Sequence, residues 1–278
     1  MKKTLIISCE FFPPRTEKGV LKLRDVRQQL QVLQPAFFSV TFGAGGSTQE
    51  KTFETVVEIQ KSGCEAAPHL SCIGSTKDNV RQLLDDYKAH GISRIVALRG
   101  DKPSGWAGQL GELRHANELV EFIRTETDNH FQIEVAAYPD FHPQARSAKA
   151  DLDFFKQKVE AGANGAITQY FYNADAYFRL VDNCAAIGIE IPIVPGIMPI
   201  GNYEQLARFS DTCGAEIPRW LRWHLQDLEN DKEALRAFGV EVVTKLCERL
   251  LAGGAPGLHF YTLNQATLTL EIAKRLQL

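Results

Sequence analysis

The sequence predicts an α/β protein folded as a single (β/α)8 barrel of the TIM type, and three observations support this. Short apolar runs alternate with amphipathic helical patterns along the chain, which indicates parallel strands joined by helical crossovers. Eight such units fit into 278 residues, a usual length for a closed barrel. No linker, low-complexity run or short repeat divides the sequence, so we expect one domain over residues 1–278.

The predicted strands are short apolar runs, most of them closed by glycine, proline or a charged residue. They cover residues 5–12, 37–42, 65–73, 94–98, 133–138, 165–171, 191–197 and 258–263. The third run contains Pro68 and has weak strand propensity, so its place in the alternation is what assigns it.

Helical patterns fill the intervals between these runs. The first interval carries apolar residues at the spacing of one helical face, at Val20, Leu23, Val26, Leu30 and Leu33. A longer interval, residues 201–254, holds two or three helical segments. It predicts an extra helical segment between strands 7 and 8 of the barrel.

Helix ends are also marked in the sequence. Ser47 and Glu50 have the spacing of a capping box, and Ser75 and Asn173 are predicted N-caps of later helices. Gly91 is placed to end the helix that Ser75 begins.

A doubly wound open sheet is the main alternative fold. The glycine cluster at residues 43–48 lacks the third glycine of a dinucleotide-binding G-x-G-x-x-G motif. This absence favours the barrel over the open sheet.

Composition excludes several classes of partner. With 31 Lys and Arg against 34 Asp and Glu, the net charge is −3, and no basic stripe suits a nucleic acid. No apolar segment approaches the roughly 20 residues of a membrane span. The six cysteines form no C-x-x-C pair, and the apolar run near the first residue is too short for a signal peptide. We therefore expect a cytoplasmic protein with reduced thiols.

Polar or aromatic residues lie at or just beyond the carboxyl end of each predicted strand, where active sites of (β/α)8 barrels lie. They are Glu10, Thr41, His69, Arg99 with Asp101, Tyr138 with His142, Gln169, Tyr203, and Tyr261 with Asn264. Each has an ordinary structural interpretation: His69 and His259 would serve as hydrogen-bonded core histidines, and Arg99 with Asp101 as a salt bridge. Their recurrence at every strand end favours a functional site.

The chemistry of this set suggests a site for an aromatic heterocycle. Glu10 and Asp101 provide one proton donor and one hydrogen-bonding carboxylate, and Gln169 provides an amide that can read a ring edge. His69 and Cys72 would point to different faces of a strand, so we expect no metal. No nucleophile motif for acyl transfer is present.

Seven collinear segments resemble the bacterial catalytic-domain form of methylenetetrahydrofolate reductase. They are SCEFFPPR (8–15), SVTFGA (39–44), EAAPHL (65–70), IVALRGD (95–101), ITQYF (167–171), PGIMP (195–199) and HFYTLN (259–264). The resemblance implies a single catalytic barrel domain over residues 1–278, with no regulatory domain. It would bear FAD and reduce 5,10-methylenetetrahydrofolate to 5-methyltetrahydrofolate. NADH or NADPH would be the electron donor, in a ping-pong reaction.

The resemblance also implies roles for individual residues. Glu10 would be the general acid that protonates folate N10, and Asp101 would bind the pterin and influence the flavin. Gln169 would contact the pterin, and Tyr203 would lie over the substrate. The flavin-contacting positions would be Thr41, Phe42, Ala44, His69, Arg99, Gly100, Asp101, Tyr138, His142, Asp151 and Lys158.

Two departures from the family pattern affect these expectations. Gln265 stands where many relatives have an arginine for the folate glutamate tail, and His115 stands where a tyrosine near the flavin is common. Two alternatives therefore stay open: a flavin barrel oxidoreductase with another substrate, and a non-catalytic barrel that binds a partner.

We also expect a homo-oligomer, with Trp220 and Trp223 as an interface or as a cap on the barrel.

Overall fold

The computed structural model describes residues 5–42, 46–100 and 111–278, with the backbone alone for residues 46–48. The strands in these residues are β1 (Ile6–Phe11), β2 (Phe37–Val40), β3 (Ala66–Ser71), β4 (Arg94–Leu98), β5 (Gln132–Ala137), β6 (Gly165–Thr168), β7 (Ile193–Val194), β8 (Gly196–Ile197) and β9 (Gly257–Tyr261). The helices are α1 (Glu17–Leu30), α2 (Gly46–Lys61), α3 (Lys77–Ala89), α4 (Ala116–Thr127), α5 (Ala148–Glu160), α6 (Ala174–Ala186), α7 (Tyr203–Cys213), α8 (Arg219–Asp227), α9 (Lys232–Ala252) and α10 (Thr267–Leu276).

The strands form one parallel sheet that curves into a barrel. Their order is β7-β6-β5-β4-β3-β2-β1-β9-β8, so neighbours in sequence are neighbours in space until the chain returns from β9 to β1. Every described strand pair is parallel. The predicted fold class is confirmed.

The predicted seventh strand is divided at Pro195. Its first half, β7, pairs with β6, and its second half, β8, pairs with β9. Proline has no N–H to donate to a sheet, but its carbonyl accepts a hydrogen bond from the backbone N–H of His259 at 3.0 Å. The two ends of the sheet therefore meet at one bend.

Side chains alternate between two packed layers. Those on the outer face of the strands join the helices in the main core, where Phe11 and Phe38 stack with ring centroids 5.2 Å apart. A separate cluster from four strands fills the barrel interior: Phe37, Ala67, Val96 and Ile167. On β2 and β3 the next inward positions toward the carboxyl ends hold the polar residues Ser39 and His69.

The extra helical segment consists of α7, α8 and α9, which lie between β8 and β9 as predicted. The longest of them, α9, packs against α10. Among the described helices, none is both long enough and apolar enough to cross a bilayer.

The helix caps agree with the sequence in one case and differ in another. Asn173 caps α6 as predicted, accepting a hydrogen bond from the backbone N–H of Asp175 at 3.0 Å. The predicted Ser75 cap is wrong, because the backbone N–H of Ser75 bonds to Cys72 in a turn after β3. Thr76 caps α3 instead, through its hydroxyl. The side chain of Ser47 is outside the described residues.

Six of the eight predicted strands run one to three residues too far at their carboxyl ends. The chain leaves the sheet early at these points. Several of the excess residues, among them Phe12, Thr41, Tyr138 and Gln169, line a cavity.

Candidate active site

The carboxyl ends of the strands surround a cavity of about 380 Å3, named here the inner cavity. It is lined by Glu10, Phe12, Thr41, His69, Val96, Leu98, Val135, Ala136, Tyr138, Ile167, Gln169, Tyr170, Met198, Phe209, Thr212, Cys213, Tyr261 and Leu263. Most of this wall is apolar or aromatic, and a few polar groups converge on it. Such a site suits a flat ring with polar edges.

Glu10 lies between two imidazoles on the inner face of the barrel. Its Oε2 atom is 3.3 Å from Nε2 of His69 and 3.8 Å from Nε2 of His259. Neither Nε2 atom has a hydrogen-bond partner among the described residues, and the second distance is too long for one. The Glu10 side chain is only 12% exposed, so this carboxyl group has little contact with water.

The charge of Glu10 follows from these neighbours. Burial by itself raises the pKa of the Glu10 carboxyl group, but His69 and His259 more than offset this and lower it to about 2. Burial also lowers the pKa of His259, so this imidazole is held neutral. Without a ligand, Glu10 is therefore a carboxylate at neutral pH.

Gln169 follows β6 and has its amide fixed by its neighbour. Its Oε1 atom accepts a hydrogen bond from the backbone N–H of Tyr170 at 3.0 Å. The Nε2 donor group remains for a ligand in the inner cavity, whose wall includes this side chain.

Hydrogen bonds join the turn after β9 to the carboxyl end of β1. The Thr262 hydroxyl donates to the carbonyl of Glu10 at 2.6 Å, and the Asn264 amide bonds to both backbone polar groups of Phe12, at 2.8 and 2.9 Å. Leu263 and Asn264 both have positive φ angles, 51° and 55°. This conformation is unusual for leucine and places Leu263 in the cavity wall.

A second cavity of about 690 Å3, the outer cavity, adjoins the inner one. The two share Leu98, Ala136 and Tyr138 in their walls. The rest of the outer cavity is lined by Ala97, Arg99, Gly100, His115, Ala116, Asn117, His142, Gln144, Ala145, Arg146, Ala150, Asp151, Phe154 and Lys158. Together they form one site of two parts, with more charged donors in the outer part.

The polar side chains of the outer cavity are fixed by hydrogen bonds to other residues of its wall. Arg99 donates to the side-chain carbonyl of Gln144 at 2.7 Å, and Nδ1 of His142 accepts from the backbone N–H of Gln144 at 3.0 Å. Asp151 accepts from the backbone N–H of His142 at 3.1 Å. The ammonium group of Lys158 donates to the carbonyl of Ala136. Burial lowers the pKa of Lys158 to about 8, against the attraction of Asp151.

Comparison with known proteins identifies one family over nearly the whole chain. The family model for methylenetetrahydrofolate reductase matches residues 1–277. This chain belongs to the methylenetetrahydrofolate reductase family. The 5,10-methylenetetrahydrofolate reductases of Salmonella typhimurium and Escherichia coli are each 41% identical over 271 residues, 97% of this chain and 90% of theirs.

More distant relatives differ in length. A rice protein named probable methylenetetrahydrofolate reductase (NADH) is 37% identical over an alignment of 286 positions. The alignment covers 98% of this chain and 48% of the rice protein. A solved Clostridium thermocellum structure, described as binding two copies of 5-methyl-5,6,7,8-tetrahydrofolic acid, has a TM-score of 0.69. It is 16% identical, over 99% of this chain and 96% of that chain, and shows the fold alone.

The structure distributes the predicted site residues of this methylenetetrahydrofolate reductase family member over both cavities. Glu10, Thr41, His69 and Gln169 line the inner cavity; Arg99, Gly100, His142, Asp151 and Lys158 line the outer one; Tyr138 lines both. Phe42 is half-buried just after β2. Ala44 and Asp101 lie outside the described residues.

Two predicted substrate contacts, Tyr203 and Gln265, are not among the residues that line the inner or the outer cavity. Tyr203 is the first residue of α7 and is buried in the core, and Gln265 is exposed two residues after Leu263. Phe209, Thr212 and Cys213 from α7 line the inner cavity, and sequence reasoning missed them. Their helical spacing could have marked a second face of α7 that lines a cavity. Tyr203, Leu206 and Ser210 form the face that is buried in the core.

His115, a departure from the family pattern, lies in the outer cavity, where its ring stacks on Phe154 with centroids 6.2 Å apart. Within the described parts of the chain, no group of three or more His, Cys, Asp or Glu side chains could hold a metal ion.

Proposed function

We propose that this protein reduces 5,10-methylenetetrahydrofolate to 5-methyltetrahydrofolate with NADH or NADPH, through bound FAD, and that Glu10 is the general acid. The observation that carries this proposal is the position of Glu10. Its carboxyl group is largely removed from water, lies at the carboxyl end of β1, and borders a ring-sized cavity that opens into a donor-rich one.

The proton of Glu10 has a defined task in this proposal. Transfer to folate N10 breaks the bond between N10 and the methylene carbon, which leaves an iminium group that accepts a hydride and becomes the methyl group. The ligand-free site holds a carboxylate, since His69 and His259 lower the pKa of Glu10. A pterin in the inner cavity would exclude the remaining water, favour the neutral carboxyl form, and so draw a proton onto Glu10.

The two cavities fit a flavin dinucleotide. Arg99, Arg146 and Asn117 give the outer cavity cationic and amide donors that suit a pyrophosphate, and Lys158 and His142 add donors near the shared wall. Bound there, FAD would supply the carrier that takes a hydride from the nicotinamide and returns it to the folate. One inner cavity would then serve nicotinamide and folate in turn, which is a ping-pong order.

Pterin recognition would rest on the wall of the inner cavity. The Nε2 group of Gln169 would donate to an acceptor on the pterin edge. Phe209 would stack on the bound ring, the role that the resemblance suggested for Tyr203, because Phe209 lines the cavity whereas Tyr203 is buried in the core. We retain Asp101 as a pterin contact and Gln265 as the contact for the glutamate tail.

We also propose that the protein acts as a cytoplasmic homo-oligomer. All six cysteines are free thiols in the structure. Trp220 and Trp223 are exposed on α8, at 48% and 58%, and would be covered in an assembly.

Substitution of Glu10 by glutamine tests the proposal. The amide keeps the size of the side chain but cannot donate an acidic proton. We expect flavin reduction by NADH to be retained in Glu10→Gln, and reoxidation by methylenetetrahydrofolate to fall by about 100-fold or more. Each half-reaction is followed by stopped-flow absorbance of the FAD-loaded protein under anaerobic conditions.

Three results would count against this account. Equal loss of both half-reactions would remove the acid role of Glu10. A wild-type flavin that bleaches with NADH and does not recover with the folate would indicate another substrate. A protein that takes up no FAD would favour the non-catalytic alternative.

A further inference from the structure

His259 is a buried imidazole with one nitrogen satisfied and one not. It lies on β9 and has no exposed surface. Its Nδ1 atom is 2.7 Å from the hydroxyl of Ser8, the residue opposite it in the β1–β9 register. Its Nε2 atom has no hydrogen-bond partner among the described residues, and it faces Glu10 at 3.8 Å.

The ring of His259 is fixed on its faces as well as at Nδ1. Phe37 stacks on it with centroids 6.1 Å apart, and Tyr261 meets it edge to face at 5.2 Å. A ring held in this way cannot turn its Nε2 atom toward another partner. The Glu10 carboxyl group is thus the partner that a small side-chain movement can bring into hydrogen-bond range.

The two imidazoles beside Glu10 are not equivalent. His69 lines the inner cavity, so a bound ring would compete for its Nε2 atom. His259 is not in that wall as described and lies behind Glu10. Among the described residues, Tyr261 on β9 is a further titratable group beside Glu10, and Tyr138 after β5, Tyr170 after β6 and Cys213 on α7 act on Tyr261 in turn.

We propose that His259, held by Ser8, is a positioning residue that orients the Glu10 carboxyl group. It keeps this group facing the inner cavity while a ligand binds Nε2 of His69. This inference rests on the proposed role of Glu10 as general acid. It assigns no bond-making step to His259, which acts only through Glu10.

The test compares four variants in the FAD-loaded protein. Ser8→Ala removes the bond at Nδ1 and keeps the ring. His259→Asn places its amide near the former Nδ1, whereas His259→Gln extends an N–H toward Glu10. Ser39→Ala is the matched control, because Ser39 is an equally buried barrel serine beside Glu10 in the β1–β2 register, and its hydroxyl has no partner in the described structure.

The first readout is the ionisation of Glu10 itself, measured by ¹³C NMR titration of labelled glutamate carboxyl groups, with Glu10→Gln to assign the signal. We expect the pKa of Glu10 to rise in His259→Asn, to rise less in Ser8→Ala, and to return toward the wild-type value in His259→Gln. Ser39→Ala should leave it unchanged.

The second readout is the pH dependence of flavin reoxidation by methylenetetrahydrofolate. In His259→Asn we expect the maximal rate to fall about tenfold, part of what a general acid contributes, and the midpoint to move to higher pH. A global loss of stability would lower the amount of active protein without moving the midpoint.

An unchanged Glu10 titration in both His259→Asn and Ser8→Ala would overturn the inference, and Ser8→Ala alone decides it if the His259 variants do not fold. Failure of the proposed function is a separate result. If wild-type protein does not reduce the folate but the Glu10 titration still responds to His259, the positioning role stands for another substrate.

Discussion

Glu10 and Lys158 show that burial alone does not set the charge of a side chain. The imidazoles of His69 and His259 lower the pKa of Glu10 to about 2 in spite of its burial. Burial lowers the pKa of Lys158 to about 8, because Asp151 opposes it only in part. The inner cavity therefore presents an anion at neutral pH, and the outer cavity a cation that loses its proton at mildly alkaline pH.

Gln169 offers a residue-scale test of pterin recognition. In Gln169→Glu the carboxylate can still accept from the backbone N–H of Tyr170, but it has no donor for the ligand and adds a negative charge near Glu10. We expect the KM for methylenetetrahydrofolate to rise about tenfold, the effect of losing one hydrogen bond, with FAD binding unchanged. Steady-state kinetics and FAD titration measure the two effects, and an unchanged KM would remove Gln169 from the pterin contacts.

The site depends on how two elements are joined. β1 carries Glu10 and β9 carries His259. The turn after β9 bonds back through Thr262 to the backbone of Glu10 on β1, and through Asn264 to the residue after β1. The positive φ angles of Leu263 and Asn264 shape this turn. A conformation that is unfavourable for leucine persists because these hydrogen bonds fix the residues on either side.

Replacement of Asn264 tests this element-scale link. Asn264→Ala loses both hydrogen bonds to Phe12 and places alanine at a positive φ, so we expect a loss of about 1–3 kcal/mol in the free energy of unfolding. Asn264→Gly is the matched control, since glycine accepts the φ angle and lacks only the hydrogen bonds. Urea denaturation gives both values. Equal stability of wild type and Asn264→Gly would mean that the hydrogen bonds do not hold the turn.

At the level of the whole molecule, the two ends of the barrel have different tasks. The carboxyl end holds the cavities, and the amino end is closed by an ion network. Arg94 donates to Glu65 at 2.9 Å and to Glu134, and its guanidinium lies 4.6 Å from the centre of the Phe37 ring. Glu134 is buried, which raises the pKa of its carboxyl group against the attraction of Arg94.

Removal of Arg94 should destabilise the barrel as a whole. Arg94→Met leaves Glu134 buried without its cation, and we expect a loss of about 3–5 kcal/mol in the free energy of unfolding at neutral pH. The folded-state pKa of Glu134 would rise further, and a raised carboxyl pKa reduces stability as pH rises through it. The loss should therefore be smaller near pH 4.5, the ordinary value for glutamate.

The control for this prediction is Arg24→Met, which breaks an exposed pair with Glu58. Water already solvates both of those charges, so the change in stability should be small. Denaturant titrations at several pH values compare the two variants. A pH-independent loss in Arg94→Met would show that Glu134 is not the cause.

The sequence by itself determined the barrel, the order of its elements and many of the residues that line the two cavities. Alternating apolar runs indicated the strands, and the polar residues near the carboxyl ends of these runs predicted Glu10, His69, Gln169 and Tyr138 in one cavity. Parallel strands bring their carboxyl ends to the same edge of the sheet. The family resemblance added Lys158 and Asp151, which no strand end would have marked.

Only the tertiary structure decided which side chains meet across the barrel. His259 and Ser8 are 251 positions apart in sequence, and closure of the sheet between β1 and β9 makes them partners. The same holds for α7. Phe209 lies in the wall of the inner cavity because of the way this helix packs, whereas Tyr203 on the same helix is buried in the core. Local patterns report how a residue sits on its own element; contacts between distant elements depend on how those elements pack, and so appear only in the folded chain.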